Sequence, residues 1–325
     1  MSRAIISEQF GPPEAFALRE ITLDPPGEGQ VQVAIKAAGI SFVDVLTAAG
    51  QYQVKPPLPF IPGSEFAGVV ECVGQGVTQL KVGDKVMGSS WGGVFAEALN
   101  VRAANLRIVP ESLGFAEAAV LPVSYQTAHY ALAYRAKLQA GETLLVLGAG
   151  GATGYAAVQL GKHFGAKVIA SASSPAKREL ALAGGADVAI DARAEDWREQ
   201  IKAATNGLGI DVVFDPVGGE ASEPAFRSLA WNGRHLVVGF PGGIAALRTN
   251  LPLLKGASLI GVDIRQFGIN EPDNAAANVA AVFALAEAGA IRPAIARTYP
   301  LADFAEAMNA AQAGQEAGRI VLEMS

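Results

Sequence analysis

Apolar and polar positions follow two different rhythms along this chain. In the first hundred residues they alternate over short runs, VQVAIKAAGI (31–40), EFAGVVECVG (65–74) and VFAEALNV (94–101), and alternation of this kind predicts half-buried strands. Turn signals at Pro25-Pro26-Gly27, Gly74 to Gly76 and Gly83-Asp84 separate them, so this part reads as a β-rich barrel or sandwich. LKVGDKV (80–86) suits a hairpin or a barrel corner, and KPPLPFIPG (55–63) is too rich in proline for helix or ladder and reads as an ordered loop. Residues 41–50, SFVDVLTAAG, predict a short helix in which Ser41 and Asp44 form a capping box and Gly50 supplies the stop.

From about Pro122 continuous apolar runs alternate with helical patterns. Ser124 to Ala136 is helical in texture, and Thr143 to Leu147 is a short buried strand. A glycine turn and a helix with Ala156, Leu160 and Phe164 on one face follow, and the helix stops at Gly165. Lys167 to Ser171 is the second strand, and Ser174 caps a helix that opens at Pro175 and ends at Gly184-Gly185. Further strands are expected at 187–191, 209–215, 234–240 and 257–262, with helices around Asp196 to Ala204 and Glu220 to Leu229. Six buried strands with interleaved helices imply a doubly wound parallel sheet, hence an α/β protein. The tail departs from this rhythm. A helix over Asp273 to Ala288, strands over Ile291 to Thr298 and Arg319 to Glu323, and a helix over Leu301 to Ala313 between them suggest a return to the first domain. The expected division is 1–122 with 267–325 for the β-rich domain and 123–266 for the parallel-sheet domain.

Composition narrows the function. Of 325 residues, 50% are apolar and 17% charged, with 25 basic against 31 acidic side chains and a net charge of −6. A mildly acidic chain without a basic run is a poor candidate for nucleic acid or a membrane surface. No apolar stretch approaches the length of a membrane span, and the N-terminus lacks a signal-peptide core, so a cytoplasmic location is expected. Cys72 is the only cysteine, which excludes an internal disulfide, and its place in an alternating run predicts a buried structural thiol. His129, His163 and His235 lack metal-ligand spacing, and His163 is expected at the surface.

The glycine turn carries the chemistry. Gly148, Ala149, Gly150, Gly151, Ala152, Thr153 and Gly154 lie between a buried strand and a helix. Ala149, Gly151 and Gly154 take the places of the G-x-G-x-x-G spacing, with the first position degenerate. A pyrophosphate needs many donors at close range, and small residues at a helix N-terminus offer unpaired N–H groups and the positive end of the dipole. The end of the second strand selects the cofactor. Ser171, Ala172, Ser173 and Ser174 stand where a carboxylate would bond the ribose hydroxyls of NAD, and no acid follows until Glu179. Hydroxyls there, with Lys177, Arg178 and Arg193 nearby, favour the 2′-phosphate of NADPH. For Lys177 and Arg178 a solvated helix face is the alternative.

Several segments together, GISFVDVLTAAGQYQVKPPLPFIPGSEFAGVV, AAVLPVSYQTA, GATG, DVVFDPVGG, SLAWNGR and the terminal GRIVL, resemble the zinc-free quinone oxidoreductase (zeta-crystallin-like) branch of the medium-chain dehydrogenase/reductase superfamily. The resemblance runs over nearly the whole chain and implies a GroES-like β-rich catalytic domain beside a six-stranded Rossmann domain. Zinc-using members carry Cys where Ser41 or its neighbours fall and Gly-His-Glu where Gly63-Ser64-Glu65 stands, so no catalytic zinc is expected. The resemblance puts Ser41, Asp44 and Tyr52 by the nicotinamide pocket, with Tyr52 a donor to the acceptor oxygen or else a packed loop aromatic. It puts Thr127 near the carboxamide and Gly239-Phe240-Pro241 over the nicotinamide ribose. It leaves Arg319 near the cofactor or at the surface. Ala192 stands where some relatives have a tyrosine near the 2′-phosphate. Ser124-Tyr125 does not make a short-chain dehydrogenase site, because His129 stands where the lysine is required. The expected activity is direct hydride transfer from NADPH to a quinone in a cleft between the domains. Reduction of an electron-poor alkene, an enone or an enoyl thioester, and crystallin-like nucleotide binding without turnover are the alternatives. The family habit of pairing through the last sheet strand predicts a homodimer through 257–264.

Overall fold

The computed structural model describes residues 2–324. Its contacts divide the chain into two units, one running to Val123 and resuming at Arg292, the other Ser124–Ile291. The first begins with β1 (Ser2–Ile6) and β2 (Ala17–Ile21), an antiparallel pair that the alternation did not predict. The longest strand, β3 (Gln30–Ile40), follows, then α1 (Phe42–Ala48), β4 (Glu65–Val73), β5 (Lys85–Ser89), β6 (Ala98–Arg102), β7 (Leu106–Ile108) and α2 (Phe115–Val120). The VQVAI alternation puts Val31, Val33 and Ile35 into one core with Phe66, Val70, Val86 and Phe95. β3 pairs with β4 along its length and with β6 through its first five residues.

Two expectations fail here for local reasons. The run 94–101 becomes strand only at Ala98. Before that, the amides of Val94 and Phe95 both donate to the Pro62 carbonyl. The Phe95 ring lies against Gly63 so closely that a Cβ there would come within 2.3 Å of it. Cys72 is exposed, not buried. The β3–β4 register shifts between Gln32 and Val33, which pair with Cys72 and Val70. This bulge skips Glu71 and turns the end of the strand outward, Cys72 included.

α3 (Pro122–His129) runs on as a π-helix over Tyr130–Ala136. Then come β8 (Thr143–Leu147), α4 (Ala152–His163), β9 (Lys167–Ala172), α5 (Pro175–Ala183), β10 (Val188–Asp191), α6 (Trp197–Ala204), β11 (Ile210–Asp215), α7 (Ser222–Arg227), β12 (Leu229–Val237), α8 (Asn250–Lys255) and β13 (Ser258–Gly261). The six strands form one parallel sheet in the order β10-β9-β8-β11-β12-β13. That is the doubly wound order expected of a dinucleotide sheet. α7 ends at Arg227 rather than Leu229, because Leu229 is already buried in β12 opposite Ile210.

α9 (Ile264–Asn270) and α10 (Pro272–Glu287) stay with this second unit, where the sequence division assigned 267–325 to the first. Phe267 stacks on Tyr130 of the π-helix, ring centroids 3.9 Å apart. Asn278 is buried and bonds His129 at 2.6 Å and the Gln126 carbonyl at 3.1 Å. These contacts hold both helices against α3 and its extension. α8 and α9 had no clear signal in the sequence.

The chain then returns to the first unit with β14 (Ile295–Pro300), α11 (Phe304–Ala313) and β15 (Arg319–Glu323). β15 pairs antiparallel with the second half of β3, so the terminal strand completes the sheet path β14-β15-β3-β4-β5-β7. Arg319 is only 6% exposed, donates to the Ile40 carbonyl at 3.1 Å, and forms an ion pair with the fully buried Glu65. The other Glu65 oxygen accepts from the Val123 amide at 3.2 Å.

Removing the cation alone leaves a buried carboxylate without its partner, which typically costs about 3–5 kcal/mol. Arg319→Met is therefore expected to lower the unfolding free energy by about that amount, and adding Glu65→Gln is expected to recover much of it. Chemical unfolding of both variants at neutral pH checks this.

Candidate active site

The glycine turn is built by backbone geometry. Gly148 leaves β8 at φ +57°, and the Gly151 amide donates back to its carbonyl at 2.9 Å. The Ala149 amide reaches the Ser171 carbonyl of β9 at 3.1 Å. Gly151, at the N-cap of α4, has no side chain to bond the first N–H groups of the helix. A Cβ on Gly154 would lie 2.2 Å from the Gly148 carbonyl oxygen, so only glycine lets the helix approach the turn. Ala149, with no exposed surface, fills the degenerate first position from inside. A Cβ on Gly150 would lie 2.5 Å from Cβ of Lys177, which places the Lys177 stem on the turn itself.

The end of β9 differs from expectation in one residue. Ser171 is buried and its hydroxyl accepts from the Trp197 indole at 2.9 Å, so it is held inside the sheet layer rather than standing open at the strand end. Ser173 and Ser174 remain half-buried. Ser174 caps α5, its hydroxyl accepting from the Lys177 amide at 3.4 Å. Arg178 bonds the Ala172 carbonyl at 3.2 Å and pairs with Asp191 at 3.0 Å, which neutralises the carboxylate at the end of β10. Arg193 is exposed, and its amide donates to the same Asp191 at 2.9 Å.

A third group of residues was not singled out as a site from sequence. Asp215, at the end of β11, is buried and accepts from the amides of Val217 and Gly218, the Ser222 hydroxyl at 2.6 Å and His235 at 3.0 Å. Burial works to raise its pKa, but His235, the Gly218 amide and Ser222 hold the carboxyl below its ordinary value. The loop it organises packs Val217 onto Gly148, where a Cβ would meet the valine at 2.9 Å. It also bonds the loop after β12, with Gly219 donating to Gly243 at 2.7 Å and Gly242 to Val217 at 2.8 Å. Gly239 and the half-exposed Phe240 sit at the start of that second loop. A usable signal was present: an acid ending an apolar run, followed by Pro-Val-Gly-Gly. Thr127 is buried in α3.

In the first unit the structure brings Ser41, Asp44, Ser64 and Glu65 together. The amide and hydroxyl of Ser41 donate to the Asp44 carboxyl at 2.8 and 2.7 Å, and the Asp44 amide donates back to Ser41 at 3.2 Å, the capping box that the spacing predicted. Asp44 is 4% exposed, and burial pushes its pKa up to about 6 against the opposing hydrogen bonds from Ser41 and Ser64, with Glu65 adding repulsion. Tyr52 is half-buried, and its amide bonds the Leu46 carbonyl at 3.2 Å, which fixes it to the end of α1. Arg319 is not a surface cation. It is the buried partner of Glu65.

These donors do not fit zinc. Two of the positions hold hydroxyls, the Ser41 oxygen is committed to Asp44, and Glu65 is committed to Arg319. Among the described residues no three His, Cys, Asp or Glu side chains are grouped to hold a metal, and no helix is long and apolar enough to cross a membrane.

A glycine-turn parallel sheet joined to a β-rich unit that the chain's end completes defines a nicotinamide-dependent oxidoreductase. The profile "Alcohol dehydrogenase GroES-like domain" matches residues 27–129, and "Zinc-binding dehydrogenase" matches 152–281. The chain is 41% identical over 251 residues to mouse (Mus musculus) quinone oxidoreductase-like protein 2, covering 77% of this chain and 72% of that one. Among solved structures, a probable oxidoreductase from Mycobacterium abscessus superposes with a TM-score of 0.90 at 37% identity, covering 99% of this chain and 98% of that one. Mycobacterial Rv1454c, complexed with NADPH, superposes with 0.89 at 29% identity, covering 99% and 100%. The chain belongs to the quinone oxidoreductase-like branch of the medium-chain dehydrogenase/reductase superfamily.

Asp44 links this site to pH. With its pKa raised from 3.8 to about 6, the folded protein keeps a proton that the unfolded chain has released. Stability contributed here falls as pH rises from about 4 to about 6 and is level above that. Asp44→Asn cannot ionise, so relative to wild type it is expected to gain about 2 kcal/mol of unfolding free energy between pH 4.5 and 7.5. Urea unfolding at the two pH values measures the difference, and a pH-independent offset would mean Asp44 titrates normally.

Proposed function

We propose that this protein is an NADPH-dependent reductase that delivers hydride to a quinone without zinc. The observation that carries the reading is the donor set at Ser41, Asp44 and Ser64. It offers hydroxyls and one buried carboxyl, with no ligand set for a Lewis acid. Oxidising an alcohol requires its proton to be removed, and the Asp44 carboxyl is buried and already engaged by Ser41. Hydride delivery to an electron-poor acceptor makes no such demand. A quinone that accepts hydride becomes an aromatic phenolate, and water can protonate it.

When bound, NADPH supplies the hydride. The residues do the rest by holding and orienting. Backbone N–H groups of Gly148 to Gly154, with Ala152 and Thr153 at the helix start, bind the pyrophosphate. Lys177, laid on Gly150, meets the 2′-phosphate together with Ser173 and Ser174, and Arg193 adds charge from the exposed edge. Thr127 positions the carboxamide, and Gly239 and Phe240 cover the ribose. Tyr52 donates a hydrogen bond to the acceptor oxygen. Ser41 and Asp44 hold the polar end of the acceptor site in one geometry.

Parallel assays of NADPH oxidation at 340 nm with a naphthoquinone, an enone and an enoyl thioester test the reading. The naphthoquinone is expected to give the highest kcat/KM. Preference for either alkene would make the protein an alkene reductase, and cofactor binding with no turnover would make it a nucleotide-binding protein. Lys177→Ala is expected to raise KM for NADPH about tenfold, in line with one lost charge-assisted contact, and to leave KM for NADH nearly unchanged. Equal effects on both would remove Lys177 from the phosphate site.

We also propose a homodimer through 257–264. β13 is the edge of the sheet, Leu259 on it is exposed, and Leu253 and Leu254 of α8 add exposed apolar surface. An unprotected edge of this kind invites pairing. Sedimentation is expected to give a dimer at micromolar concentration, and a monomer would refute it.

A further inference from the structure

Trp91 is 70% exposed, although tryptophan is among the more buried residues on average. It is nevertheless held in a defined turn. The turn follows β5 and is bonded on both sides of the indole to the segment that enters β4. The Ser90 amide donates to the Ser64 carbonyl at 2.8 Å, and the Gly93 amide to the Ile61 carbonyl at 2.7 Å. Gly92 and Gly93 take φ +95° and +86°, a conformation that favours glycine, and a Cβ on Gly92 would come within 3.0 Å of the Ile61 carbonyl. The register continues the same link one step further, with Ser89 opposite Glu65. Ser64 in turn bonds Asp44 through its side chain. The backbone therefore holds a large aromatic side chain, open to solvent, next in the chain to Ser90, which bonds the backbone carbonyl of Ser64. Packing does not account for it, since most of the indole covers nothing.

We propose that Trp91 is the platform on which a planar, conjugated acceptor ring lies at this site, so that the protein favours two-ring quinones over small non-aromatic acceptors. The proposal rests on the reading of this site as the acceptor site. Indole is an electron-rich π system and a quinone an electron-poor one. Offset stacking of aromatic faces adds to the gain from burying the ring.

The chain has three tryptophans, and Trp197 is buried against Ser171, so full-length protein carrying Trp231→Phe reports mainly on Trp91. In that background 1,4-naphthoquinone is expected to quench the fluorescence saturably. Trp91→Phe is expected to lose most of the quench yet keep naphthoquinone affinity, measured by calorimetry, within about twofold. Trp91→Ala is expected to weaken that affinity, and to raise KM for naphthoquinone, by about 3- to 10-fold, while KM for 2-cyclohexenone changes several-fold less. Unchanged naphthoquinone affinity in Trp91→Ala, or equal losses for both acceptors, would overturn the proposal. Failure of the reductase reading looks different: no acceptor is turned over, while calorimetry still finds the Trp91-dependent affinity for naphthoquinone.

Discussion

The buried cation of Arg319 ties together the part of the first unit where Asp44 and Glu65 lie. Asp44 and Glu65 are both withdrawn from water and close enough to repel. Arg319 answers that charge by pairing with Glu65 and bonding the Ile40 carbonyl where β3 ends. A buried pair of this kind is a weak source of net stability, yet it is strongly destabilising when broken. Its effect here is to make position obligatory. Arg319 comes from the terminal strand, 254 residues beyond Glu65, so this buried group assembles only when the end of the chain has returned and paired with β3.

The glycine turn obeys a different constraint, close approach of backbone. Gly154 lets α4 rest on the Gly148 carbonyl, Gly150 makes room for the Lys177 stem, and Gly148 receives Val217. Asp215 organises the last of these by collecting four donors at the end of β11. Through the Gly219–Gly243 and Gly242–Val217 bonds it also sets the loop after β12. Two loops proposed to meet the nicotinamide half of the cofactor thus share one buried carboxylate.

Much of this was legible in the chain. The strand, glycine turn, helix and strand from Thr143 to Ala172, the capping box of Ser41 and Asp44, and the Ser174 cap all depend on neighbours within a few positions, and the structure has them where the spacing puts them. The misses share a cause. Cys72 turned outward because of a bulge opposite another strand. Ser171 was taken up by Trp197, 26 residues away. The second unit kept α9 and α10 because Phe267 and Asn278 found partners on α3 and its π-helical extension. Each depends on a contact that no local pattern encodes.

The amino-acid sequence by itself determined the two textures of the chain, the alternation of strand and helix in its middle and the small residues at the glycine turn, because periodicity, capping and glycine placement act over one or two turns of backbone. Only the tertiary structure decided which groups meet: that Arg319 answers Glu65, that Asp44 is buried enough to hold its proton to about pH 6, and that the turn carrying Trp91 bonds Ser64 through Ser90. Burial and charge pairing are properties of the surroundings, and those surroundings are assembled from segments far apart in the chain.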